Sequence, residues 1–158
     1  MFEETSVSHL VKPQDLNHHD TLFAGRMAEW LVETCFIAAT RLVGRTEDVH
    51  CVQIHDMSFR RALQAGAVVD IRARIGHLDR HSITVYGEAT TRDHTNAAVT
   101  ILITFVTVDG TGKPYMHGFT LPPAYVAANA EICDRAHTVA LDAGKARRRA
   151  RRPAAGRR

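Results

Sequence analysis

The sequence predicts an α+β domain in which an antiparallel sheet wraps around one long helix. Three observations carry that expectation. Between residues 23 and 42 apolar side chains recur at three- and four-residue intervals, the spacing of one helix face. From Val49 to Val108 the spacing changes to alternation, which marks strands with two unlike faces. No second helical pattern interrupts those strands, and this excludes the repeated βαβ units of a nucleotide-binding α/β fold.

Each element has its own signal. Thr5 to Val11 alternates Ser and His with Val and Leu and ends at Pro13, which cannot donate to a ladder, so a short first strand is expected. Gln14 to Thr21 is dense in turn and capping side chains and reads as a loop before the helix. Phe23, Met27, Leu31, Thr34, Ala38 and Leu42 form the helical stripe, Trp30 and Ile37 widen it, and Gly44 is the stop. Four strands follow, over Val49 to Phe59, Val69 to Ile75, Ile83 to Thr91 and Ala97 to Val108. The last is apolar on both faces, as in a central strand or one covered by a partner subunit. Asp109 to Pro114 looks superficially like a phosphate-binding loop, but its first glycine stands too close and Pro114 replaces the required hydroxyl, so it reads as a turn. A final helix is expected between 122 and 143.

Charge is distributed unevenly. The net charge is +3, yet Lys145, Arg147, Arg148, Arg149, Arg151, Arg152, Arg157 and Arg158 all lie in the last fourteen residues, and without those eight the body carries −5. The basicity therefore belongs to a tail, expected to be disordered from 145 to 158 and to act as a solubilising segment, and no nucleic-acid partner is expected. No apolar run approaches the roughly 20 residues of a membrane helix, and the acidic start, Met1 to Thr5, lacks the basic region of a secretory signal. A soluble, cytoplasmic protein is expected. Cys35, Cys51 and Cys133 are odd in number, widely spaced and without a Cys-x-x-Cys pair, so they read as reduced packing residues. Adjacent His18 and His19 should point apart, with no third ligand at metal spacing, and no metal site is expected.

Asp15-Leu16-Asn17-His18-His19-Asp20-Thr21-Leu22-Phe23-Ala24-Gly25-Arg26, with Trp30 and Glu33-Thr34 beyond, resembles the acyl-CoA thioesterases of the hotdog superfamily, in the YciA-like and brain-type acyl-CoA hydrolase branch. Met57-Ser58-Phe59, Arg80-His81-Ser82 and Thr104 to Asp109 before Gly112-Lys113-Pro114 extend the resemblance over roughly residues 5 to 122. It implies a hotdog thioesterase domain over 1–122, followed by a helical extension over 123–144 and the Arg-rich tail over 145–158. The implied reaction hydrolyses acyl-CoA to a fatty acid and CoA in fatty acid metabolism, with no cofactor beyond the coenzyme A of the substrate. The implied assembly is a homo-oligomer built from hotdog dimers, a hexamer.

The resemblance also assigns roles. Gly25 at the helix start would offer its backbone N–H to the carbonyl oxygen as negative charge builds there, and a glycine lets the acyl group approach closely. Asn17 would orient the water or the thioester. Ser58, Phe59, Arg80 and Ser82 would meet the CoA ester. The family places an acid on the central helix of the facing subunit, at the position occupied here by Val32. Glu33, one residue on, is the candidate replacement, and Glu29, one turn earlier, is the lesser one. Losing a general base costs roughly 10²–10⁴ in rate. The competing expectation is therefore a catalytically weak or inactive hotdog protein that binds acyl-CoA. A hotdog hydratase is the third, and Asp15 with His18 or His19 supplies its Asp/His pair poorly.

Overall fold

The computed structural model describes residues 2–151. Its elements are β1 (Thr5–Leu10), α1 (Ala24–Val43), β2 (Val49–Phe59), β3 (Val68–Leu78), β4 (Ser82–Thr91), β5 (His94–Thr107), α2 (Pro123–Ala128) and α3 (Ala130–Arg151). The five strands form one antiparallel sheet in the order β1-β3-β4-β5-β2. The expected α+β architecture and the bounds of α1 and β2 match this closely. β5 begins three residues earlier than expected because the turn before it is only two residues long, at Arg92 and Asp93.

The core lies between α1 and the inner face of the sheet. Met27, Leu31, Cys35, Ala38, Ala39 and Leu42 of α1 are buried against Ile71, Val85, Ile101, Ile103 and Phe105. The helix reaches the sheet closely because β4 carries Gly87 beneath it: a Cβ there would stand 2.7 Å from Cys35 Sγ and 2.8 Å from a methyl of Ile101. Gly44 ends α1 in the left-handed conformation, φ 82°, and its N–H caps Thr40 O at 2.7 Å. Trp30 is buried on the stripe, with its ring stacked on His9 at 4.3 Å.

The outer face is different. Threonines 84, 100 and 104 alternate along β4 and β5 with the apolar inner residues and are buried, and Tyr86 and Leu102 form a small second core with Ala136 of α3. α3 crosses this face where β3 carries Gly76, whose Cβ would meet that of Ala136 at 2.5 Å. Thus β5 is an interior strand beside the β2 edge, and its second face is covered in part by the chain's own helix.

Three expectations need correction. Lys145 to Arg151, expected to be disordered, continue α3 beyond Gly144, since alanines and arginines favour helix and sit in its last turns, where cations suit the carbonyl end of the dipole. The rest of the expected tail, 152–158, lies outside the described residues. The helix expected over 122–143 is two helices, broken at Asn129. Cys51 is exposed on β2, at the sheet edge, whereas Cys35 and Cys133 are buried, and all three are free.

Candidate active site

The loop before α1 holds itself together through Asn17. Its Oδ1 accepts the N–H of His19 at 2.9 Å and of Thr21 at 3.3 Å, and its Nδ2 donates to Thr21 Oγ1 at 3.1 Å. Backbone bonds from Asn17 N–H to Thr21 O, 2.8 Å, and from Phe23 N–H to Asp15 O, 2.9 Å, lock the loop onto the helix start. Asp15 is buried and faces Arg26 at 3.2 Å, while Arg26 also bonds Glu29 at 2.9 Å. One guanidinium therefore ties the loop to the helix and pairs with Glu29 as well.

α1 begins without a side-chain cap. Its first bond runs from Arg26 N–H to Phe23 O, so the amides of Ala24 and Gly25 precede the helical ladder and stay exposed. Gly25 has no room for a side chain, because an added Cβ would strike the Phe23 ring. Beside Ala24 opens a cleft of about 350 Å³, lined also by Leu22, Met27, Phe59, Leu63 and Val99 and by Arg60 and Arg61; Gly25 adjoins it without lining it. Two donors aligned with a helix dipole, next to an apolar cleft, can bind an acyl group and stabilise negative charge on its carbonyl oxygen.

The other expected residues are spread more widely. Glu33 is exposed and has no hydrogen-bond or ion-pair partner among the described residues, unlike Glu29. Val32, at the position of the expected acid, is half-buried and packs against the core. Glu33 follows Gly25 by eight residues, about 12 Å along the helix axis at 1.5 Å per residue. Phe59 lines the cleft, but Ser58 alternates to the opposite face of β2 and donates to Asp56 Oδ1 at 3.2 Å. Arg80 is exposed and Ser82 half-buried. Phe59 lies opposite Val99 and Ser82 opposite Val106, seven residues apart on β5, or about 23 Å. One chain therefore does not bring Phe59 together with Arg80 and Ser82. His18 and His19, expected to diverge, lie with ring centroids 3.9 Å apart. Sequence reasoning missed Arg60 and Arg61; the available signal was two cations immediately after Met57-Ser58-Phe59.

The fold is that of a hotdog domain, and the comparisons with known proteins agree. The family profile of the thioesterase superfamily matches residues 19–98, half of the chain, and the chain belongs to that superfamily. It is similar to the solved acyl-CoA hydrolase of Staphylococcus aureus in complex with butyryl-CoA, CoA and CoA disulfide, at 24% identity over 92% of this chain and 85% of that one, TM-score 0.75. An apo-hexameric acyl-CoA thioesterase matches at 21% identity over 94% of each chain, TM-score 0.76. A hexameric thioesterase from Yersinia pestis matches at 26% identity over 72% of this chain and 93% of that one, TM-score 0.65. At the lower identities the likeness is one of fold, and it includes the sheet, α1 and the long C-terminal helix. No curated protein matches.

Proposed function

We propose that the protein is an acyl-CoA thioesterase that converts acyl-CoA and water to a fatty acid and CoA. The observation that carries this reading is the pair of exposed amides, Ala24 and Gly25, opening beside an apolar cleft in a chain of the thioesterase superfamily. A water attacks the thioester carbonyl, the oxyanion forms against the two amides, and the carbonyl re-forms as CoA leaves as its thiol. Glu33 takes the water's proton and returns it to the departing sulfur, because it is the acid near position 32 that no cation among the described residues holds. Asn17 keeps one amide hydrogen beyond those used in its loop and directs it to the water.

Glu33 stands about 12 Å along the axis from Gly25 of its own chain, so it serves the site of a second copy. β2 supports such a pairing. It is an edge strand, with an unpaired backbone margin and with Val52 and Ile54 half-exposed. Two copies paired antiparallel along β2 place the partner's Arg80 to Ser82 end beside this chain's Phe59 end, which unites the residues that one chain keeps apart. The active unit is a homodimer within a larger ring, a hexamer as in the solved hexameric thioesterases. Three free cysteines suit a reducing, cytoplasmic setting in fatty acid metabolism, with no cofactor.

Thiol release from acyl-CoAs of stepped chain length tests the reaction. Turnover by the wild type that falls in Asn17→Ala supports it. Absence of turnover with measurable acyl-CoA binding would favour the binding protein instead.

A further inference from the structure

The basic end of α3 is a surface that the acyl site does not use. We propose that this end docks the protein onto an anionic lipid bilayer, with Lys145, Arg148 and Arg149 meeting the headgroups and Leu141 beside them.

A disordered solubilising segment has no fixed face, but a helix does. On the side of α3 that packs on the sheet, Cys133, Ala136 and Ala143 are buried. Leu141, Lys145, Arg148 and Arg149 stand at i, i+4, i+7 and i+8, the spacing of one helical face. At about 100° per residue that face lies opposite the buried one. All four of its side chains are exposed. Arg147 and Arg151 fall instead on the sheet side, and Arg147 borders a small cavity with His55 and Asp79, whose rim Arg148 also reaches. The outward cations therefore form a one-sided stripe.

Charge gives this surface its sign. Residues 145 to 151 hold five cations, and no acid follows Asp142 to the end of the sequence. Among the described residues only Lys145 of the five has an ion pair, a loose contact of 3.7 Å with Asp142. Without the eight cations of 145–158 the chain carries −5, so an anionic surface repels the body and draws in this end alone.

A flat partner fits the stripe better than a groove does. A helix laid in a DNA groove meets phosphates along both flanks, whereas one flank of this helix leans over the sheet. Guanidinium groups pair readily with phosphate oxygens of headgroups. Leu141, 45% exposed at the start of the stripe, adds an apolar contact that a bilayer accepts and a phosphate backbone does not.

Cosedimentation of the full chain with lipid vesicles tests the docking. The wild type should bind phosphatidylcholine vesicles containing about 30% phosphatidylserine at about 50 mM salt, and should leave them at about 500 mM salt or when the vesicles are pure phosphatidylcholine. Arg148→Gln with Arg149→Gln should weaken binding about thirtyfold, at roughly fivefold per cation. Arg147→Gln with Arg151→Gln removes the same charge from the other flank and should weaken it clearly less. Equal losses in the two pairs would overturn the assigned face. Failure of the wild type to bind at low salt, or binding to a mixed-sequence DNA duplex without binding to the vesicles, would overturn the bilayer. The vesicles hold no thioester, so the outcome is independent of the thioesterase reading.

Discussion

The two faces of the sheet are built from the same strands and behave as different materials. The inner face is apolar and closed, with Val85, Ile101, Ile103 and Phe105 pressed onto α1. The outer face is threonine-rich and charged, and α3 covers it only in part. Period-two alternation makes this possible, because each residue that deepens the core hands its neighbour to the opposite side. One face supplies stability and fixes where the α1 amides point. The other is more polar and stays open in part.

The comparison breaks most sharply at the inner face. Leu31→Ala removes a side chain that is fully buried between α1 and the sheet, and should cost about 2–5 kcal/mol in urea unfolding. Gly76→Val forces α3 off the outer face and should cost about 1–3 kcal/mol. Hydrogen exchange would then show residues 130–143 losing protection while β4 and β5 keep theirs; equal loss throughout would mean that the two faces are one cooperative unit.

Smaller effects sharpen the outer face. The Thr104 hydroxyl stands 2.6 Å from His55 Nε2 and 2.7 Å from Thr84 Oγ1, so Thr104→Val should cost about 1 kcal/mol by denaturant titration. Burial, then Arg147, lowers the pKa of His55; burial, then His137, lowers that of His77 against the opposing pull of Asp79. Neutral imidazoles are thus favoured in the folded state. Their contribution is complete above about pH 6.5 and is lost as pH falls through the lower folded values. The melting temperature should drop on acidification, and the drop should shrink in His55→Gln with His77→Gln; an unchanged slope would contradict the assignment.

The inner face was legible in the sequence because its signal is local and periodic: the stripe from Phe23 to Leu42 and the strand alternation gave α1 and β2 nearly to the residue. Asn17 and the glycine at 25 were singled out by the family resemblance, not by periodicity. The polar cavity of about 650 Å³ on the outer face, lined by Arg60, Thr100 and Arg135, was not legible. Arg60, Thr100 and Arg135 meet only through strand register and the path of α3, and a buried hydroxyl without a partner among the described residues, that of Thr100, has no sequence signature. Residues 145–151 were misread as disordered because charge density overshadowed the helix propensity of their alanines and arginines. Arg80 and Ser82 lie far along the sheet from Phe59 in one chain, and it is the proposed pairing of two copies along β2 that would bring them together.

Hydrolysis by this chain turns on whether an acid one position away from its expected place can do the chemistry. Thiol release from a good acyl-CoA substrate by wild type, Glu29→Gln and Glu33→Gln measures this directly. The expected result is turnover by wild type, little change in Glu29→Gln, whose carboxylate already serves Arg26, and a loss of roughly 10²–10⁴ in kcat for Glu33→Gln with substrate binding retained. Wild-type turnover by Glu33→Gln would contradict it.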